Sequence, residues 1–127
     1  MKLKNYQIYN IGCNANKIFN DTTLHFPVKL GFYLFKNLNK MVELSKEIEA
    51  IRLNIIKKYP REITPEQKEE LQKELNELSE IVQEVDLYYL NLAEFDDISL
   101  TTEQLKVIID MIDDSNFDED GFEEVYE

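Results

Sequence analysis

A chain of 127 residues, 43% hydrophobic and 31% charged, is long enough for one domain with a modest core and too short for two ordinary ones. Only three Gly favour long helices, and a lone Cys excludes an intramolecular disulfide and a cysteine-based zinc site, as suits a reducing compartment. The net charge of −12 is split: residues 1–60 carry ten Lys/Arg against four acids, residues 61–127 four against twenty-two, a field that repels nucleic acid and attracts basic proteins.

The opening MKLKNYQIYNIG lacks the apolar core of a signal peptide, and no apolar run approaches the roughly 20 residues that cross a bilayer. A soluble, intracellular protein with no membrane partner is expected. Ile8, Ile11, Ala15 and Ile18 follow helical spacing, weakened by Asn5, Asn10, Gly12, Asn14 and Asn16, so residues 3–19 are expected to form a first helix. Cys13 within it reads as a small buried apolar residue. Residues 20–26 connect it to the next element.

Pro27 suits a first helical position, where a fixed φ and a missing N–H cost nothing. In the run to Tyr59, Leu34, Met41, Ile48 and Ile55 recur every seven residues, with Leu38, Leu44 and Ile51 beside them. This is one apolar seam on a helix of about 33 residues, about 50 Å long. Phe32, Phe35 and Val42 widen the stripe, which places the thicker core at that end. Pro60 stops the helix.

Thr64, Pro65 and Gln67 supply an N-cap, a first-turn proline and a capping-box partner. Leu71, Leu75, Leu78, Val82 and Val85 then alternate by four and three, as in a coiled-coil seam. With about four residues between them, the two helices are expected to be antiparallel neighbours. In the stretch EVDLYYLNLAEF, Tyr89 and Leu92 continue the helical seam, yet the residues have strand character, so a longer helix and an extended segment both fit; the helix is expected to end near Gln83 with an extended segment after it. Its strand partner is sought in residues 22–26 or 123–126. Thr101 opens a last helix, with Gln104 as capping partner and Leu105, Ile108, Ile109 and Ile112 on one face. The division is therefore one helical domain over residues 1–113 and an acidic tail over 114–127.

Nothing in the chain spells out a reaction. His25 is the only histidine and has no cysteine or histidine partner, so it reads as an ordinary surface or half-buried side chain. Gly12, Gly31 and Gly121 are too scattered to cradle a phosphate, and no Gly-x-Ser-x-Gly elbow is present. No enzyme activity, cofactor or metal is expected. Asn116, Asp118, Asp120, Gly121 and Glu127 match an EF-hand calcium loop in spacing, but Asn stands first where Asp is the rule, and Glu123 replaces the usual apolar residue. The segment reads as a solvated acidic tail instead.

Residues 94–127 hold thirteen acids and one Lys. That density suits carboxylates standing in for phosphates on a basic partner, and aromatic residues among them suit an interface. The candidate contact acids are Glu94, Asp96, Asp97, Asp110, Asp113, Asp114, Asp118, Glu119 and Asp120. The candidate aromatic anchors are Phe117, Phe122 and Tyr126, with Tyr88 and Tyr89 nearby.

The words MKLKNYQIYNIG, FPVKLGFYLFKNLNKMVELSKEIEAIRLNIIKKY, EVDLYYLNLAEF and LTTEQLKVIIDMIDD together resemble small proteins of tailed phages from low-GC Gram-positive bacteria, a family catalogued only as a domain of unknown function. The resemblance covers most of residues 1–115 and implies a phage product acting in the cytoplasm of an infected bacterium. It carries over no functional residues.

The expected fold is mainly α: a long antiparallel helical hairpin with shorter flanking helices and a small extended element. The expected function is a non-enzymatic inhibitor of the anti-CRISPR kind, whose acids occupy the basic nucleic-acid site of a host nuclease or similar protein, without direct nucleic-acid binding. The alternative is a virion or assembly component (scaffold, connector or tail chaperone) in which the hairpin seam serves self-association, for instance as a homodimer.

Overall fold

A computed structural model describes residues 1–112 of the chain. The order of elements is β1 (Lys2–Lys4), α1 (Asn5–Asn14), α2 (Asn16–Phe19), α3 (Val28–Lys57), α4 (Pro65–Glu80), β2 (Val82–Glu84), a 3-10 turn (Leu92–Phe95) and α5 (Thr102–Ile109). The protein is mainly helical, with a hairpin built on α3 and a two-stranded antiparallel sheet.

At 1.5 Å per residue α3 is about 45 Å long; α1 and α4 pack along it, and α5 packs against α1 and α2. Leu30, Leu34, Leu38, Met41 and Ile48 form its buried stripe, at the expected three- and four-residue spacing. Pro27 is the N-cap and Val28 the first helical residue, one position later than the sequence suggested; the helix ends at Lys57 rather than Tyr59. Thr64 and Gln67 form the expected capping box of α4: Thr64 Oγ1 accepts from the Gln67 N–H at 3.1 Å, and Gln67 Oε1 accepts from the Thr64 N–H at 2.9 Å. α4 runs back along α3, and both Lys58 and the Tyr59 hydroxyl donate to Glu74. That hydrogen bond pushes the Tyr59 hydroxyl up to about 12, while the Lys58 and Tyr59 donors hold Glu74 below its usual range.

The broadest partner of α3 is α1, not α4. Ile8, Ile11, Ala15 and Ile18 are buried, whereas on α4 only Leu78 is, with Leu71 and Leu75 half-buried. Gly12 makes the close crossing possible, because a Cβ there would lie 2.4 Å from Ser45 Oγ and 2.7 Å from the Met41 carbonyl oxygen. Cys13, the next residue, is exposed, contrary to its reading as a buried residue.

A strand is present, but at Val82–Glu84, sharing only Glu84 with EVDLYYLNLAEF; residues 85–91 form no strand and Leu92–Phe95 are the 3-10 turn. The strand's partner is not residues 22–26, and residues 123–126 lie outside the described residues. β2 pairs with β1, in the register Lys2 with Glu84, Leu3 with Gln83 and Lys4 with Val82. Residues 2–4 are therefore strand rather than the start of a helix. Asn5 determines this junction. Buried at the head of α1, it donates from Nδ2 to the Leu78 carbonyl at 2.9 Å and accepts at Oδ1 from Gln83 at 2.6 Å. Its backbone N–H meets the Ile81 carbonyl at 2.9 Å. These bonds satisfy groups left open at the end of α4 and stop that helix at Glu80, short of Gln83. Val82, placed in the coiled-coil seam by its spacing, is consequently exposed; Val85 is buried.

α5 has the expected cap, Thr101 with Gln104, but presents a different face. Gln104, Val107, Ile108, Met111 and Ile112 are buried, while Leu105 and Ile109 are exposed. Gln104 anchors the helix by donating from Nε2 to the Lys17 carbonyl and to Asp21, which rotates Leu105 away from the core.

Candidate functional site

Of the nine acids singled out, Glu94, Asp96, Asp97 and Asp110 lie among the described residues; Asp113, Asp114, Asp118, Glu119 and Asp120, together with Phe117, Phe122 and Tyr126, lie outside them, as does the EF-hand-like spacing. Glu94, Asp96 and Asp97 project around one turn. Asn91 Oδ1 accepts from the Ala93 N–H at 2.9 Å and Glu94 Oε1 from the Asn91 N–H at 3.0 Å, so the turn is capped at its start. Phe95 is buried between these acids and packs edge-on against Phe26, with ring centroids 6.4 Å apart. All three carboxylates are exposed, and none has a Lys or Arg ion-pair partner among the described residues.

Asp110 is elsewhere, half-buried at the C-terminal cap of α5. It shares a cleft of about 410 Å³ with Asn10, Asn14, Lys17, Glu103 and Lys106. Burial pushes its carboxyl above the usual range. The structure therefore separates Asp110 from the acidic turn. Glu66, Glu69, Glu70 and Glu77 add a second exposed acidic surface along α4. Among the described residues no group of three or more His, Cys, Asp or Glu is placed to hold a metal ion.

A surface that sequence reasoning missed lies beside the acidic turn. Of Phe32 and Phe35, both expected to thicken the core, Phe35 packs edge-on against Phe19 and Phe26, with centroids 5.2 and 6.1 Å away, whereas Phe32 is exposed on the outer side of α3. The rings of Tyr33 and Tyr88 stack at 4.5 Å with an interplanar angle of 7°, and Phe32 meets Tyr88 edge-on at 6.0 Å. The Lys29 ammonium lies 5.6 Å from the Tyr33 centroid and that of Lys36 5.6 Å from the Phe32 centroid. Tyr89 is 54% exposed, Leu92 48% and Val28 91%. The available signal was the run Lys29, Phe32, Tyr33, Lys36, whose spacing lies off the buried stripe.

Comparison with family models, curated proteins and solved structures finds no match for this chain. No helix among the described residues is long and apolar enough to cross a membrane.

Proposed function

We propose that the chain is a non-enzymatic protein-binding inhibitor of the phage counter-defence, anti-CRISPR kind, whose acidic C-terminal half occupies a basic nucleic-acid site on a host protein. The observation that supports this reading is the capped turn of Glu94, Asp96 and Asp97. It holds three exposed carboxylates without a Lys or Arg ion-pair partner among the described residues, on a short capped element anchored by Phe95. Fixed charges lose little entropy on binding and attract a cationic groove at long range. The excess of acids continues through the last residues of the sequence.

The test is capture of partners from host lysate at low salt, followed by washes of rising ionic strength. Retention of a nucleic-acid-handling protein that falls steeply with salt is the expected result. Replacing Asp96, Asp97, Asp113, Asp114, Asp118, Glu119 and Asp120 by Asn or Gln is expected to abolish retention with circular dichroism unchanged. Undiminished retention by that variant would reject the reading in favour of an assembly component held by apolar contacts.

A further inference from the structure

We propose that the face formed by Val28, Phe32, Tyr88, Tyr89 and Leu92 is the contact between two copies of this chain, paired about a two-fold axis that sets Lys29 of each against Glu94 of the other. These five side chains are all at least 44% exposed: Val28 and Phe32 share one side of the first turns of α3, Phe32 meets Tyr88 edge-on, and Tyr89 lines the adjoining groove with Lys29 and Glu94. Contiguous exposed apolar surface of this kind marks an interaction site. The site is rigid: Asn37 clamps the backbone of Tyr88 through two hydrogen bonds, and Tyr33 stacks on its ring. Little side-chain entropy is left to lose on association.

The charges around the face select the occupant. A groove of about 590 Å³ runs between Lys29 and Tyr33 on one rim and Tyr89 and Glu94 on the other. Neither Lys29 nor Glu94 has an ion-pair partner among the described residues. A two-fold contact brings the same patch against itself, so a patch with base on one rim and acid on the other is complementary to its own copy turned half round. A polyanion such as nucleic acid would meet Glu94 in the groove and offer it no cation, whereas a second copy offers its Lys29. The dimer contact shares Glu94 with the turn of the proposed inhibitor surface but leaves Asp96 and Asp97 outside it, and the reversal at Lys29, a residue the inhibitor reading does not use, tells the two apart.

The test is sedimentation equilibrium of the full chain from about 1 µM to about 1 mM. A monomer–dimer equilibrium is expected for the wild type. Lys29→Glu and Glu94→Lys each place like charges together twice per dimer, and each alone is expected to weaken self-association about tenfold or more. Mixed in equal amounts, the two variants regain opposite charges at both contacts, and a heterodimer within about threefold of wild-type affinity is expected. Because Glu94 also caps its turn, Glu94→Gln serves as a control that keeps the acceptor, and it is expected to weaken the dimer less than Glu94→Lys. Val28→Asp is expected to break the dimer without harm to the fold, since an acid suits the first turn of a helix. A wild type that stays monomeric throughout, which would leave the face to a different protein, overturns the proposal. So does a dimer whose affinity the two charge reversals leave unchanged, or a failure of those reversals to associate on mixing.

Discussion

The carboxamide of Asn37 takes the place of a strand neighbour for Tyr88: it accepts from the Tyr88 N–H at 2.8 Å and donates to the Tyr88 carbonyl at 3.0 Å. Asn37 is only 1% exposed and sits among the apolar residues of α3. One turn earlier on the same helix, Tyr33 stacks on the Tyr88 ring. A single helix thus fixes both the backbone and the side chain of a residue 51 positions away. The exposed aromatic face depends on that double hold.

Asn37→Leu would leave both backbone groups of Tyr88 without their partner in a partly buried place. A loss of about 2–3 kcal/mol is expected, read as a lower urea midpoint with an unchanged slope. Asn37→Asp keeps the acceptor for the N–H but turns a carboxylate oxygen towards the Tyr88 carbonyl. Protonation would restore a donor, so the folded state raises the pKa of this new acid. Its deficit against wild type is expected to be largest at neutral pH and to shrink as the pH falls through that raised value.

Gly12→Ala tests the crossing of α1 over α3. The added Cβ meets the side chain of Ser45 and the backbone carbonyl of Met41, and the carbonyl has no room to give. Overpacking of about 1–3 kcal/mol outweighs the gain in helix propensity, about 1 kcal/mol at most. Gly31→Ala is the matched control, because its Cβ would meet only Phe26 Cβ at 3.3 Å. Thermal unfolding is expected to show a clear drop for the first substitution and a change close to zero for the second.

What the sequence made legible was local. The capping boxes at Thr64 and Thr101 are written within four residues, and the stripe from Leu34 to Ile48 within a helical repeat; both are found as read. The β1–β2 pair was not legible, since three residues are too few to show a period of two, and the pairing depends on Asn5 reaching Leu78 and Gln83 across the chain. Asn5 was counted there as a helix-weakening residue, whereas its polar side chain makes the junction. The aromatic face was misread for a related reason. A seam pattern shows that a helix is covered but not by which neighbour, and with α1 as the broad partner of α3, Phe32 faces outward while Phe35 packs on Phe19 and Phe26. Among the candidate acids, the clustering of Glu94, Asp96 and Asp97 follows from their nearness in the chain. The separation of Asp110 depends on how α5 docks on α1, which spacing does not encode.

Two aspartates provide opposite pH signatures from that docking. Hydrogen bonds from the Thr23 hydroxyl, from Gln104 and from the Thr23 N–H hold Asp21 below the ordinary aspartate range, whereas burial raises Asp110 above it. A carboxylate with a lowered folded pKa stabilises the protein above its unfolded value and loses that contribution as the pH falls through the folded one. Asp110 works the other way. Its charged form opposes folding at neutral pH, at a helix C-terminus where negative charge is also unfavourable, and protonation in mild acid relieves the cost. Asp110→Asn is therefore expected to raise the urea midpoint at about pH 7, with the gain vanishing at about pH 3, where the aspartate is neutral in both folded and unfolded chains. Asp21→Asn is expected to lower the midpoint at neutral pH, with a smaller loss in acid. Equal midpoints for Asp110→Asn and wild type at neutral pH would show that the cleft beside Asn10 and Lys106 solvates the charge fully.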